Sequence, residues 1–508
     1  MYKHRHGQRS LLESPEMFMM SPLNSENEWI KLAKLIPWDE IEKKYAKNFK
    51  SKKGQRAYSA RMALGALIIK ERYRSSDEDT VNEIAMNPYL QYFLGLPEYQ
   101  NEAPFDASML TRFRQRITPD MLKWANDKIT ETKKDKEKDT GATHTDKDNK
   151  TDGEEDIAEA AEAKNQPEDE SPKNKGTMIL DATCAPQNIR FPTDVSLVNE
   201  ARKNSEMIID YYHKAHMTEG EMKPRTYRKK AKKAYDSFSK SRKKPLRKIR
   251  QALKSQLRFL KRDIRIMDEI EARNPESRKV LPKWLQERCE TIRKLYAQQE
   301  EMLVNKTNRV ADRIVSLSQP WVRPIKRGKQ NAETEFGAKA EMSVVNGFLR
   351  VEEIRWNAYN ESTTLKDSVE GYKERYGYYP ERILADKIFR TRDNIRYCAS
   401  KGIHLNGPVL GKPPSDPEEQ KRQKRLEWEE SGERGEIERD FGVCKRRYSL
   451  GKIMTKLKET SETAIMLSVL VYNLWKKLRL LLSQISDVFK TLNWCSLVKV
   501  FFVAENFA

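Results

Sequence analysis

Three residues in the stretch Glu433–Tyr448 have the types and the spacing to grip a phosphodiester: Arg434, Glu438 and Lys445, an R-x3-E-x6-K pattern. A helix turns about 100° per residue, which puts Glu438 roughly 40° and Lys445 roughly 20° from Arg434, spread over about 16 Å of axis. A carboxylate so placed can hold a metal ion, and the flanking cations can hold phosphates on either side. Ile437, Phe441, Cys444 and Tyr448 make a second, apolar stripe, so the spacing predicts an amphipathic helix with one edge in a core. The bland alternative is a solvated face with i,i+4 pairing.

Two further carboxylates follow short apolar runs, Thr177-Met-Ile-Leu-Asp181 and Arg382-Ile-Leu-Ala-Asp386. Runs of this kind suit strands buried on both faces, here each expected to deliver an Asp at its C-terminal end, the edge at which open α/β sheets collect ligands. Three carboxylates gathered there repel one another unless divalent cations intervene, and all-oxygen ligands select Mg²⁺ or Mn²⁺. Two such ions can activate a hydroxyl and stabilise the leaving oxygen of a phosphodiester. Alternatives stay open: Asp181 or Asp386 could cap a turn. Asp194, in Pro-Thr-Asp, competes with Asp181 but suits a helix N-cap. Asp440 competes with Glu438 but lies about 200° from it on the helix.

The elements that must position these groups can be read in order. Residues 1–130 are expected to form an all-helical, DNA-binding N-terminal domain, of which residues 1–22 are mixed and basic, a partly disordered terminus in preference to an arm that lies on DNA. Residues 23–130 read as all-helical, with Asp106 or Ser108 capping a helix that carries Arg112, Arg114 and Arg116 around Leu110, Phe113 and Ile117, a candidate DNA-contacting helix. The segment 131–176 is charged and nearly free of large apolar residues, a disordered linker. The first part of an α/β core spans 177–217, with a helix from Pro192-Thr-Asp194 to about His216. A basic helical insertion occupies 218–330: Lys and Arg crowd Arg225–Arg250, Leu253, Leu257, Leu260, Ile264 and Met267 form a seam, and Pro275 and Pro282 bracket the turn into a second helix. It is either a solvated spacer or a clamp on DNA. The core resumes over 331–482, with a hairpin at Asn346-Gly347, a helix over Leu365–Tyr376, a helix over Arg392–Lys401 and a strand from Ile403 to Leu410 closed by Gly411-Lys-Pro-Pro414. A core helix, Ala464–Leu482, is followed by an apolar tail, 483–508.

Composition narrows the classes. The 508 residues allow two or three domains, and the formal net charge of +21 expects a polyanion, nucleic acid first and an anionic membrane surface second. Five scattered cysteines without C-x-x-C spacing argue against a zinc ribbon or a disulfide framework and fit a reducing cytosol. His213 and His216 lack a third ligand and read as surface residues. No signal peptide is evident, and Ala464–Trp475 is too short to span a bilayer.

Around the three carboxylates the chain resembles the DDE transposases of bacterial insertion sequences, which have a ribonuclease-H-like catalytic core. The matching pieces are LDATCAPQNIRFPTD, ILADKIFRTRDN and RGEIERDFGVCK, and DASMLTRFRQRI resembles an N-terminal domain found in one branch. The resemblance implies a ribonuclease-H-like α/β domain with a basic helical insertion, preceded by an all-α domain. It implies that Asp181, Asp386 and Glu438 hold two Mg²⁺ (or Mn²⁺) ions, that water is activated to free a 3′-OH at the element's end, and that this 3′-OH attacks target DNA. Arg434 and Lys445 would grip phosphates beside the scissile bond. Partners would be double-stranded DNA, both element ends and target, and a second copy in a homodimeric synaptic complex, with no membrane and a cytoplasmic, nucleoid-associated place in a bacterium. The family's signature tyrosine, three positions before Arg434, is Ser431 here, which bears on the DNA-end contact more than on catalysis. Two other functions stay open: a two-metal nuclease on the same carboxylates that cuts without joining, and a non-catalytic DNA-binding protein derived from a transposase, against which the intact carboxylates argue and for which the long linker and Ser431 speak.

Overall fold

The computed structural model describes residues 22–49, 56–131, 173–216, 222–329, 332–357, 359–408 and 416–505, with side chains to residue 486 in the last segment. The N-terminal segment before residue 22, nearly all of the linker over 131–176, and Gly411–Pro414 lie outside the described residues.

Seven helices come first: α1 (Glu28–Leu35), α2 (Trp38–Ala46), α3 (Ala60–Tyr73), α4 (Asp77–Met86), α5 (Pro88–Leu94), α6 (Met109–Arg116) and α7 (Pro119–Thr130). Local signals start them. The side chains of Asn27, Ser59, Ser76, Asn87 and Thr118 accept from backbone N–H groups of the first turns of α1, α3, α4, α5 and α7. Asp106 accepts from the Ser108 N–H just before α6, while Ser108 makes no side-chain cap. Ala63, Leu64, Ala66, Leu67 and Ile68 of α3 are completely buried.

The sheet contains β1 (Thr177–Pro186), β2 (Arg323–Lys329), β3 (Ala332–Val345), β4 (Phe348–Arg355), β5 (Arg382–Ala385) and β6 (His404–Leu405). The order is β4-β3-β1-β5-β6, with β2 paired to the other end of the long β3. β3 runs antiparallel to β1, whereas β1, β5 and β6 are parallel. Asn346 and Gly347, at φ 52° and 78°, make the tight β3–β4 turn, whose two positive φ values match strand twist. Of the strand expected over Ile403–Leu410, the described residues to 408 form a strand only at His404–Leu405, and Val409 and Leu410 lie outside the described residues. Helices α12 (Leu365–Tyr376) and α13 (Arg392–Ser400) cover one face of the sheet, burying Met178, Leu180, Ile383 and Ala385 against Leu365, Val369, Phe389 and Cys398. Helices α14 (Pro417–Arg447) and α15 (Lys458–Glu505) cover the other face. The charged segment before Glu433 is the first part of α14, and α15 continues past Leu482, so the tail expected to begin at 483 is backbone of the same helix through Glu505.

The N-terminal helices are not a separate body. One apolar core runs from Trp29, Leu64 and Phe113 through Leu470 and Leu474 of α15 to Ile179, Met342 and Leu349 of the sheet. Buried Glu71 of α3 accepts from Ser468 Oγ at 2.7 Å. Asn126 of α7 meets Asn473 at 2.8 Å, and the rings of Trp29 and Trp475 pack edge-on, 5.3 Å apart.

The insertion differs from its expected limits. Helix α8 (Asp194–His216), assigned above to the core, packs with α9 (Arg228–Lys240), α10 (Leu246–Arg273) and α11 (Lys283–Val304) around Val198, Ile208, Leu257, Leu260, Leu285 and Ile292. The expected antiparallel hairpin of α10 and α11 is present, with Pro275 and Pro282 at its turn. At the other limit, Arg323–Lys329 returns to the sheet as β2. The inserted body is therefore a helical bundle from about 194 to 317, because the apolar stripe of α8 faces the insertion and not the sheet.

Candidate active site

Strand alternation builds the site. Ile179 and Asp181 project from the same face of β1, and Leu384 and Asp386 project together from β5. Ile179 and Leu384 lie in the core shared with α14, so both carboxylates are aimed toward that helix. The parallel pairing of the two strands ends at Leu180↔Ala385, leaving Asp181 and Asp386 as neighbours one step beyond. The expected placement at strand ends holds for Asp386, which accepts from the Lys387 N–H at 2.7 Å as a short 3-10 turn begins. It does not hold for Asp181, because β1 continues to Pro186 along β3. Gly337 permits that continuation, since a Cβ there would lie 2.1 Å from the Ala185 carbonyl oxygen.

Helix α14 brings the third group. Its apolar stripe of Ile437, Phe441 and Cys444 is buried as the spacing predicts, with Tyr448 just beyond the helix buried too. Two polar anchors fix its register on the sheet: Arg382 grips Glu433 through two hydrogen bonds of 3.2 and 2.6 Å, and His404 Nε2 meets buried Glu430 at 2.5 Å. Arg434 then reaches toward Asp181 while holding Glu438. Arg434 Nη2 lies 3.0 Å from Glu438 Oε1, and its Nη1 lies 3.9 Å from Asp181 Oδ2. The guanidinium thus stands between two of the three carboxylates. Lys445 follows in the last turns of α14, half-buried. Asp440, the competitor, points elsewhere: it accepts from Tyr472 at 2.5 Å and pairs with Lys476 at 3.3 Å.

The electrostatics favour a cation. Burial pushes the Asp181 carboxyl up to about 6. The Ala182 N–H, donating at 2.7 Å, and Arg434 pull it down, while the negative charges of Glu361 and Asp386 add to the rise. Glu361 was not singled out by the sequence. It lies in a 3-10 turn capped by Asn360 and is held by Lys339; an Asn-Glu-Ser run signals only a turn, so nothing local marks it. Among the described residues no group of three His, Cys, Asp or Glu side chains is drawn close enough to hold a metal ion as it stands. Arg434 occupies the position between carboxylates that a cation would compete for. The donors themselves, all carboxylate oxygens, suit a hard divalent ion.

The other expected contacts are placed as follows. Arg114 is turned inward and makes two hydrogen bonds to Asp77, of 3.0 and 2.6 Å. Arg116 stacks over Phe49. Arg112 is exposed. Asp194 binds Gln299 and Arg313, which ties α8 to the end of the insertion. His216 meets Asn274, and the cysteines at 184, 289, 398 and 444 are buried and in no disulfide.

Two separate parts of the chain match family models. Residues 383–475 match a transposase DDE domain, and residues 19–116 match a transposase domain of the DUF772 type. The first match includes Asp386, Arg434, Glu438 and Lys445, and Asp181 precedes it. A stretch of 100 residues is 35% identical to "Uncharacterized protein ORF8 in nfe locus" of Rhizobium meliloti, covering 20% of this chain and 48% of that protein. The chain thus spans about half the length of the curated relative it matches. No solved structure matches. Both domain matches are to transposases, and together they support a transposase of the DDE type. No helix among the described residues is long and apolar enough to cross a membrane.

Proposed function

We propose that the chain is a DNA transposase that cuts the 3′ ends of an insertion sequence and joins them to target DNA, working in the bacterial cytoplasm on the nucleoid. What supports this reading is that Asp181 and Asp386 lie side by side where two parallel strands end their pairing, while Arg434 of α14 reaches both Asp181 and Glu438. The strand order, with one antiparallel hairpin beside three parallel strands, supports a ribonuclease-H-like core.

In this reading Asp181, Asp386 and Glu438 hold two divalent ions, Mg²⁺ or Mn²⁺. The ions would supply activation of the attacking oxygen and neutralise charge on the leaving one. The protein's own side chains do the rest. Arg434 swings from its carboxylate partners to a phosphate, and Lys445, roughly three turns along the same face, holds another. Glycines at 432 and 435 lie within α14 beside them, although each costs a helix about 1 kcal/mol. A Cβ at Gly432 would meet nothing within 4 Å, and at Gly435 only the Arg439 guanidinium at 3.6 Å, so internal packing does not demand either glycine. Both leave room for a nucleic-acid backbone at the site. Joining two ends requires two copies, so a homodimer on DNA belongs to the same reading.

The test is a plasmid carrying the element's own ends, incubated with purified protein in Mg²⁺ or Mn²⁺. Nicking and joined products are expected, and Asp386→Asn should lose both by at least about a thousandfold while binding the ends within a few-fold. Undiminished cleavage by Asp386→Asn would remove that residue from the site. Cleavage without joining would leave a nuclease, and binding without cleavage a regulatory DNA-binding protein.

A further inference from the structure

The function proposed above makes no use of the inserted bundle, yet the bundle holds a large excess of positive charge. From Arg228 to Lys254 there are thirteen Lys and Arg residues and one acid, Asp236. The resulting net of +12 exceeds half of the chain's +21. The cations are organised. Lys229, Lys232, Lys233 and Lys240 recur at helical spacing with Asp236 and Ser237 along one face of α9, where they line a shallow groove. All four lysines are exposed, and none is in an ion pair with a described residue. The start of α10 and the turn before it extend the patch with exposed Arg242, Lys243, Arg247 and Arg250.

The rest of the bundle holds this face rigid. Arg228 is pinned to Asp210 by two hydrogen bonds of 2.9 and 2.7 Å, and Gln256 donates to the Ala231 carbonyl at 3.0 Å. Tyr235 and Phe238 turn inward onto the bundle core. Ala231 is the one residue of α9 that is fully buried, so the helix contributes little to the core, and five of its eight exposed residues are lysines.

We infer that the α9 face and the adjoining start of α10 form a sequence-independent binding surface for the phosphate backbone of duplex DNA. The four lysines span about 16 Å, and a duplex presents one negative charge for each 1.7 Å or so of its axis. A membrane surface is disfavoured because a helix that lies in the interface needs large apolar side chains on its lipid side, and those of α9 are spent on the bundle. A single strand is disfavoured because the face offers no exposed aromatic ring for stacking. The inference deepens the proposed function by giving the insertion a partner, and its readout is independent of cleavage.

The experiment measures binding of the full chain, carrying Asp386→Asn and in EDTA, to a labelled random-sequence duplex as salt is raised. Changing Lys229, Lys232, Lys233 and Lys240 together to Ala should make the slope of log K against log salt shallower by about 3 to 4, with affinity lowered at least about tenfold at low salt. The matching change of all four to Arg should restore the slope. A slope unchanged by the Ala variant, with circular dichroism confirming an intact fold, overturns the inference. So does a loss confined to single strands or to phosphatidylserine vesicles. Failure of the proposed catalytic function would appear instead as absent cleavage by the unsubstituted chain in Mg²⁺ or Mn²⁺, with this salt slope intact.

Discussion

The sheet edge and the inserted bundle handle charge in opposite ways. At the edge, carboxylates of like sign are crowded together, and the chain supplies its own counter-ion in Arg434. On the bundle, cations of like sign are spread over an exposed face with hardly an acid among them. The first arrangement suits a small ion of opposite charge that displaces an internal partner. The second suits a long polyanion that needs no displacement at all. Burial explains the contrast. Asp181 is desolvated, so its charge must be compensated locally, whereas exposed lysines are screened by water and tolerate one another.

The largest expected effect is the loss of cleavage in Asp386→Asn, which should leave the duplex binding proposed for the bundle untouched. Next is Leu260→Ala. Leu260 is fully buried at the centre of the bundle, and the cavity should cost about 3 kcal/mol. Denaturant unfolding followed in this region should show it, together with weaker duplex binding. A loss under about 1 kcal/mol would mean that the bundle is not the well-packed unit described.

A smaller effect, dependent on pH, is expected at Asp263. This residue of α10 has no exposed surface, and neither carboxylate oxygen has a hydrogen-bond partner. Burial pushes it up to about 8, Glu206 adds to the rise, and Arg202, Arg228 and Arg262 oppose it. The folded bundle therefore keeps a proton that the unfolded chain, titrating near 3.9, has already released, and stability falls as pH rises from about 4 to about 8. Asp263→Asn should flatten that decline, with a gain in stability at pH 8 and hardly any near pH 4. Thermal melts of both proteins across this range provide the check, and equal gains at the two ends would refute the assignment.

The smallest difference concerns α6. Arg114→Ala removes both hydrogen bonds to Asp77 and should cost about 1 kcal/mol, whereas Arg112→Ala should change stability by less than about 0.5 kcal/mol. Melting temperatures separate the two. If Arg114→Ala melts like the parent and weakens DNA binding instead, the Asp77 pair is not what holds this side chain.

Much of the site was legible in the sequence because its signals are local. Arg434, Glu438 and Lys445 share a face through helical periodicity alone, and the Ile437, Phe441 and Cys444 stripe said which edge would be buried. The apolar run before Asp386 marked β5, and Asn346-Gly347 marked the hairpin. Glu361, by contrast, reaches the neighbourhood of Asp181 from a turn distant in sequence, and the anchors Arg382–Glu433 and His404–Glu430 join residues that no local pattern pairs.

Side-chain types and their periods along the chain were therefore sufficient to establish the helices, the short buried strands and the order of the three acidic motifs. Long-range packing settled the rest. It extended β1 beyond Asp181 because β3 offers a pairing partner as far as Pro186. It assigned α8 to the inserted bundle because that helix's apolar stripe meets α10 and α11. It merged the N-terminal helices with α15 and the sheet into one core, and it turned Arg114 toward Asp77 while leaving Arg112 in water. An amphipathic segment encodes that it has a face to bury. Which distant surface buries it depends on complementarity between elements, and no window of neighbouring residues contains that information.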